Sequence, residues 1–153
     1  MARLEDIPEP TRTAAANIPC PAFDTTPFVI GPKLSERRVA IVSSAALIHR
    51  GDKPFDFGSG DYRAVSGAWA NADILMSHVS INHDRNGYRR DLNVIYPIDR
   101  LRDLAAEGVI GSVADTHFSV MGSTDPAAMG ESAAGIAAAL HADRVNAVVL
   151  CPV

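Results

Sequence analysis

The run Ala147-Val148-Val149-Leu150 is continuously apolar, carries two β-branched residues and shows no polar alternation. That pattern suits a strand buried on both faces of a sheet, usually a parallel one whose faces are shielded by helices. Val39-Ala40-Ile41-Val42 opens the stretch RVAIVSSAALI in the same way and then turns small and polar. Between these runs, Pro97 to Glu107 has helical spacing: Ile98, Leu101, Leu104 and Ala105 share a face, Pro97 suits the first helical position, and Gly108 suits the stop. Asp125-Pro126 begins a second helix, with Asp125 as N-cap and an apolar face of Met129, Ala133, Ile136, Ala137 and Leu140.

Ala72 to Ser77 reads as another strand, Gly51 to Gly67 as a long Gly/Asp-rich loop, and Val109 to Val113 as a short apolar segment. The order strand, loop, strand, helix, short strand, helix, strand implies an α/β fold with a mostly parallel sheet and flanking helices. A three-layer arrangement of Rossmann-like or flavodoxin-like type is expected, incomplete at the C-terminus. Residues 1–35 stand apart. Pro8, Pro10, Pro19, Pro21, Pro27 and Pro32 disfavour a regular helix or central strand. Phe23, Phe28, Val29 and Ile30 would be costly to leave in water, so an extended arm packed on the body or on a partner is expected. Residues 36–153 then form a single domain.

Composition narrows the function. A net charge of −4 over 153 residues, with Arg37-Arg38 and Arg89-Arg90 read as solvated surface pairs, gives no footprint for nucleic acid. No apolar run reaches the ~18 residues of a membrane span, and the acids and prolines of MARLEDIPEP do not suit a signal peptide. A cytoplasmic protein is expected, in which Cys20 and Cys151 would not form a structural disulfide.

In open α/β sheets ligands gather beyond the carboxyl ends of the strands. Ser43-Ser44, His78 and Cys151 fall there. The segment from His78 to His117 is dense in functional side chains, including His83, Asp84, Asp91 and Asn93. Imidazoles and carboxylates suit zinc or iron, yet the spacing matches no standard ligand motif, and Asp and Asn also cap turns. His117 reads either as a proton donor near neutral pH or as a histidine satisfied in a loop. Cys151 is either a small buried hydrophobe or a nucleophile with a lowered pKa. Ser43-Ser44 lack the elbow of a serine hydrolase, and no phosphate-binding glycine motif is present.

Three stretches resemble, in order, the selenoprotein subunits of the glycine, sarcosine, betaine and D-proline reductases. They are RVAIVSSAALIHRGDKPF (Arg38 to Phe55), SHVSINHDRNGYRRDLNVIYPIDRLRDLAAEGVIGSVADTHFSVMG (Ser77 to Gly122) and VNAVVLCPV (Val145 to Val153). D-x-N-x-x-x-P-x-D-R-L (Asp91 to Leu101) and G-V-I-G-S-V-A (Gly108 to Ala114) are the most specific pieces. The resemblance implies a strand leading into a loop with a redox-active selenocysteine or cysteine. It also implies reductive C–N cleavage of an amino-acid-like substrate, with electrons from a thioredoxin-like or other dithiol donor. Any pyruvoyl group would sit on a separately encoded partner subunit; no cofactor is expected on this chain.

On this reading the sequence stops at a recoded codon, the nucleophile would be residue 154, and the chain is the N-terminal part of a longer reductase subunit, inactive alone. Cys151, His78 and His117 are then the candidate catalytic residues, and Ser43, Ser44, His83, Asp91 and Asn93 the candidate substrate-binding residues, with no metal. A homo-oligomer is expected, to bury the final strand. The other readings are a small-molecule or metal-binding domain built on His78, His83, Asp91 and His117, and an assembly subunit that docks through its sheet edge.

Overall fold

The computed structural model describes residues 3–17, 19, 22, 24–80 and 85–153. The strands are β1 (Arg38–Ser43), β2 (Leu47–His49), β3 (Tyr62–Ser66), β4 (Ile74–Met76), β5 (Ser112–Val113), β6 (Thr116–Val120) and β7 (Ala147–Cys151). The helices are α1 (Thr11–Ala16), α2 (Asn86–Arg90), α3 (Ile98–Ala106) and α4 (Gly130–Ala142). β1 is the centre. Val39 is in register with Ala147 of β7 and with Val113 of β5, so these two strands lie on opposite edges of β1. β6 continues the lane of β5, with Val42 opposite Phe118, and all three neighbours run parallel to β1. β3 completes the sheet antiparallel to β6. The fold is α/β.

Alternation along β1 divides the interior. Val39 and Ile41 face α3 and join Leu47, Val65, Ile95, Tyr96, Ile98, Leu101 and Ile110 in the main core. Ala40 faces the other way, with Ala114 and Val145, beneath Leu140 of α4. A third cluster, Ala46, Ile48, Phe55 and Met121, lies where the chain leaves the sheet.

Several expectations need correcting. The presumed loop from Gly51 to Gly67 contains β3, whose five residues find an antiparallel partner that local composition does not reveal. The strand expected at Ala72 to Ser77 is shorter, β4, and pairs antiparallel with β2 in a separate two-stranded ladder. The helix after Asp125 starts with a 3-10 turn, Pro126–Met129, before α4. That tighter winding shifts the phase of the helix. Ile136 is buried and Met129 and Leu140 are half-buried, but Ala133 and Ala137 are exposed, while Ser132 and Gly135 turn inward. Asp125 caps as expected, accepting from the Ala127 amide at 2.9 Å.

β7 is buried on one face only: Val148 and Leu150 are exposed. The N-terminal region contains a short helix, α1, and Phe28, Val29 and Ile30 do not cover the body. Arg38 is not a solvated surface charge. Its guanidinium reaches the Val113 carbonyl at 2.7 Å and Asp143 at 2.8 Å, and ties the start of β1 to the end of α4.

Leu101 anchors α3 in the core, whereas Arg100 lies on its exposed face. Leu101→Ala should lower the stability to urea unfolding by about 2–5 kcal/mol. Arg100→Ala should change it by less than about 0.5 kcal/mol.

Candidate functional site

The carboxyl ends of β1, β6 and β7 are tied together by two serines. The Ser44 amide donates to the Cys151 carbonyl at 3.0 Å, and the Ser44 hydroxyl accepts from the Val153 amide at 2.8 Å. Ser44 thereby extends the β1–β7 pairing by one step and fixes the segment Cys151-Pro152-Val153. Its carbonyl accepts from the Gly122 amide at 2.9 Å, which brings in the end of β6. A Cβ on Gly122 would lie 2.8 Å from that carbonyl oxygen, so glycine permits this approach. Ser43 is fully buried; its hydroxyl donates to the Ile95 carbonyl at 2.7 Å and accepts from the Ala45 amide.

Two contributors here escaped sequence reasoning. Ser119 donates from its hydroxyl to the Ser43 carbonyl at 2.9 Å and accepts from the Leu47 amide at 2.8 Å. Ala46 is fully buried with φ of +54°, at the point where the chain turns from β1 into β2. A non-glycine residue in this left-handed region is strained and is held only by its surroundings. Nothing in Ser-Ala-Ala signals that conformation, and Ser119 stands out only once β6 is laid beside β1.

Cys151 is half-buried on the α3 face of β7, and burial pushes its thiol above the ordinary range. His78 is buried just beyond β4, where the neighbouring Ser77 amide donates to the Ala46 carbonyl at 2.9 Å. Its Nδ1 accepts from the Ser80 amide at 3.1 Å, so the neutral ring carries its proton on Nε2. Arg85 donates to both the His78 and Ser80 carbonyls and holds this turn closed.

His117 lies within the sheet rather than at its end. The lane opposite β1 breaks at Ala114–Asp115, and there the Nδ1 of His117 accepts from the Ile41 amide at 3.0 Å. The ring is fully buried, edge-on to Tyr96 at a centroid distance of 5.4 Å. Burial, helped by the charge of Arg102, lowers its pKa from 6.5 to about 4. It is therefore neutral near pH 7.

Asp91 and Asn93 form a local lock. Asp91 accepts from the amide of Asn93 at 2.9 Å and from its side chain at 2.8 Å, capping the 3-10 turn Leu92–Val94. Asn93 in turn accepts from the Asp99 amide at 3.0 Å, at the start of α3. Asp99 is held below the usual carboxylate range by Asn93, with Asn71 and Arg102 adding to the effect. Arg102 also donates to the Gly67 carbonyl. His83 and Asp84 lie outside the described residues.

Ser43, Ser44 and Cys151 thus gather at the strand ends, while His117 and the Asp91–Asn93 pair support them from the sheet and from the start of α3; His78 follows β4, linked to the end of β1 through the Ser77–Ala46 hydrogen bond. Among the described residues no three His, Cys, Asp or Glu side chains come together as a metal site. A cavity of about 520 Å³ opens at the other end of the sheet, beside Arg38, Asp115 and Asp143. No helix among the described residues is long and apolar enough to cross a membrane.

A family described as glycine/sarcosine/betaine reductase selenoprotein B matches residues 15–153. The chain is 32% identical over 91 residues to a D-proline reductase subunit gamma of Acetoanaerobium sticklandii, covering 59% of this chain and 37% of that one. It is 30% identical over 140 residues to a glycine reductase complex component B subunit gamma of Carboxydothermus hydrogenoformans, covering 87% and 32%. A sarcosine reductase complex component B subunit beta of Peptoclostridium acidaminophilum is 33% identical over 111 residues, covering 68% and 25%. The chain thus spans between a quarter and just over a third of the length of these relatives. No solved structure matches it with statistical significance.

In a Cys20→Ser background, alkylation of Cys151 should reach half its limiting rate at a pH above the ~8.5 of free cysteine. A midpoint below that value would contradict a thiol raised by burial. For His117, the unfolded chain binds a proton below pH 6.5 that the native ring refuses until about 4. Stability should therefore fall as the pH is lowered through that window, by on the order of 3 kcal/mol from this group. Urea unfolding at pH 7 and 5, with an NMR titration of the ring, checks it; a ring that titrates near 6.5 would contradict it.

Proposed function

The chain belongs to the glycine/sarcosine/betaine reductase selenoprotein B family, and we propose that it is the substrate-side α/β part of a reductase subunit acting in the cytoplasm. It would work with a pyruvoyl-bearing partner subunit and a thioredoxin-like or other dithiol donor. The substrate class is glycine, sarcosine, betaine or D-proline. The observation that carries this reading is the family match over residues 15–153. The hydrogen bonds that join Ser44 to Cys151 and Val153 at the strand ends support it.

The family's redox residue supplies the nucleophile for C–N cleavage: the amine leaves, a C–H bond replaces C–N, and a dithiol provides the two electrons and ends as a disulfide. This chain's residues prepare the place for that chemistry. Ser44 holds the backbone of Cys151 to Val153 in an extended line from β7. Burial disfavours the Cys151 thiolate, the reactive form both for attack on substrate and for exchange with a dithiol, so Cys151 would react only where the complete complex brings a cationic group beside it. His78, buried beyond β4 with its Nδ1 on the Ser80 amide, would act by holding the turn that follows β4 beside the site. Ser44 and His83 would contribute to binding the substrate, while Ser43, fully buried, would act by holding the Ile95 carbonyl. Asp91 and Asn93 act on the site through Ile95, whose carbonyl receives the Ser43 hydroxyl, and His117 acts by holding β1 to β6.

The test is turnover by the reductase complex containing this chain, with dithiothreitol as donor. Consumption of one of the four substrates should match dithiol oxidation one for one. Cys151→Ala should lower the rate at least ~10-fold, and a complete complex that turns over none of the four would overturn the reading.

A further inference from the structure

Two features of the interior point to one place. The first is the second nitrogen of His117. Its Nδ1 takes the Ile41 amide, so the neutral ring carries its proton on Nε2. That Nε2 is fully buried and has no hydrogen-bond partner among the described residues. A buried donor without an acceptor is costly, and folded proteins rarely keep one. The second feature is Gly67, just past the end of β3. A Cβ on Gly67 would lie 3.4 Å from that Nε2, 3.3 Å from the Asp115 carbonyl oxygen and 3.5 Å from the Ala114 carbonyl oxygen. One donor and two acceptors thus converge on the side of residue 67 that glycine leaves without a side chain.

We propose that this convergence is a binding site for one internal water molecule, which accepts from the Nε2–H of His117 and donates to the carbonyls of Ala114 and Asp115. The chemistry of the three atoms selects the ligand. A metal or ammonium cation does not accept from the ring N–H, and a carboxylate has no proton to give the carbonyls. A neutral oxygen with two protons does both, and it then makes the roughly three hydrogen bonds typical of a buried water. The Asp115 carbonyl already accepts from the Gly67 amide at 2.8 Å and keeps a second lone pair for this contact.

The site has room and an entrance. Gly67, Ala114 and Asp115 all line a cavity of about 300 Å³, which also borders Ile98 and Arg102 of α3. That is far more than the ~30 Å³ one water occupies in the liquid. Arg102 donates to the Gly67 carbonyl and fixes this residue at the cavity wall. Water bound at Nε2 keeps the proton there and leaves Nδ1 bare, which is the tautomer the Ile41 amide requires. The water is thus a working part of the joint between β1 and β6, whichever reaction the chain serves.

Two substitutions and one spectrum of the full chain test this. In Gly67→Ala a methyl takes the water's place without hydrogen bonding. In Gly67→Ser a hydroxyl, which both donates and accepts, stands in for the water. Urea unfolding should find the folding equilibrium constant of Gly67→Ser ~5-fold above that of Gly67→Ala, the worth of about one hydrogen bond. A glycine kept only for space would make the larger serine no better than alanine. In the NMR spectrum of the parent chain, Hε2 of His117 should show a nuclear Overhauser contact to water, and Gly67→Ala should lose it. Serine no more stable than alanine, a parent Hε2 without that contact, or a ring proton found on Nδ1 would overturn the proposal. The parent spectrum decides where neither variant folds.

Discussion

The hydrogen bond from the Ile41 amide to His117 holds the sheet together at its weakest point. β1 is flanked on both edges, and its lane opposite β7 is filled by two short pieces with a break between them. A backbone amide buried at that break without a partner would cost about 1–3 kcal/mol. The imidazole supplies the missing acceptor at 3.0 Å. It does so only in its neutral form with Nδ1 bare. The burial that makes the bond necessary also keeps the ring in the protonation state that makes it. Closure of this gap lets β6 resume its register with β1 at Val42 and Ser43, the residues that carry the chain into the strand ends.

The D-x-N-x-x-x-P-x-D-R-L block has a mechanical reading. Its polar members satisfy one another: Asp91 caps through Asn93, Asn93 caps α3 through the Asp99 amide, and Asp99 binds Arg102. The block therefore fixes the direction from which α3 enters the core. Between its polar members lies Ile95, whose carbonyl takes the Ser43 hydroxyl at 2.7 Å. Displacing the cap would move that carbonyl and leave a fully buried hydroxyl without its acceptor. The influence of the block on the strand ends thus passes through one hydrogen bond.

What was legible in the sequence is what depends on local periodicity. β1 and α3 follow from apolar runs and helical spacing, and Asp125 caps where its type and position suggest. What depends on distant partners was hidden. β3 reads as loop because Tyr-Arg-Ala-Val-Ser becomes a strand only beside β6. β4 reads as part of the main sheet because nothing local distinguishes a partner in β2 from one in β1. At the strand ends, Ser43 and Ser44 were visible as residue types, but the use of their hydroxyls for the Ile95 carbonyl and the Val153 amide was not. The continuously apolar run in β7 suggested cover on both faces, whereas the structure covers only the α3 face.

That one-sided cover gives the two faces of β7 different surroundings. Side chains alternate across a strand with period two. Ala147, Val149 and Cys151 therefore point toward α3, and Val148 and Leu150 point away. α4 leaves the last two bare, because Gly135 of α4 lies against Tyr62 of β3 rather than over β7. Val148 and Leu150 therefore share with Cys151 the main chain of β7 that Ser44 aligns, while their side chains occupy different sides of the sheet.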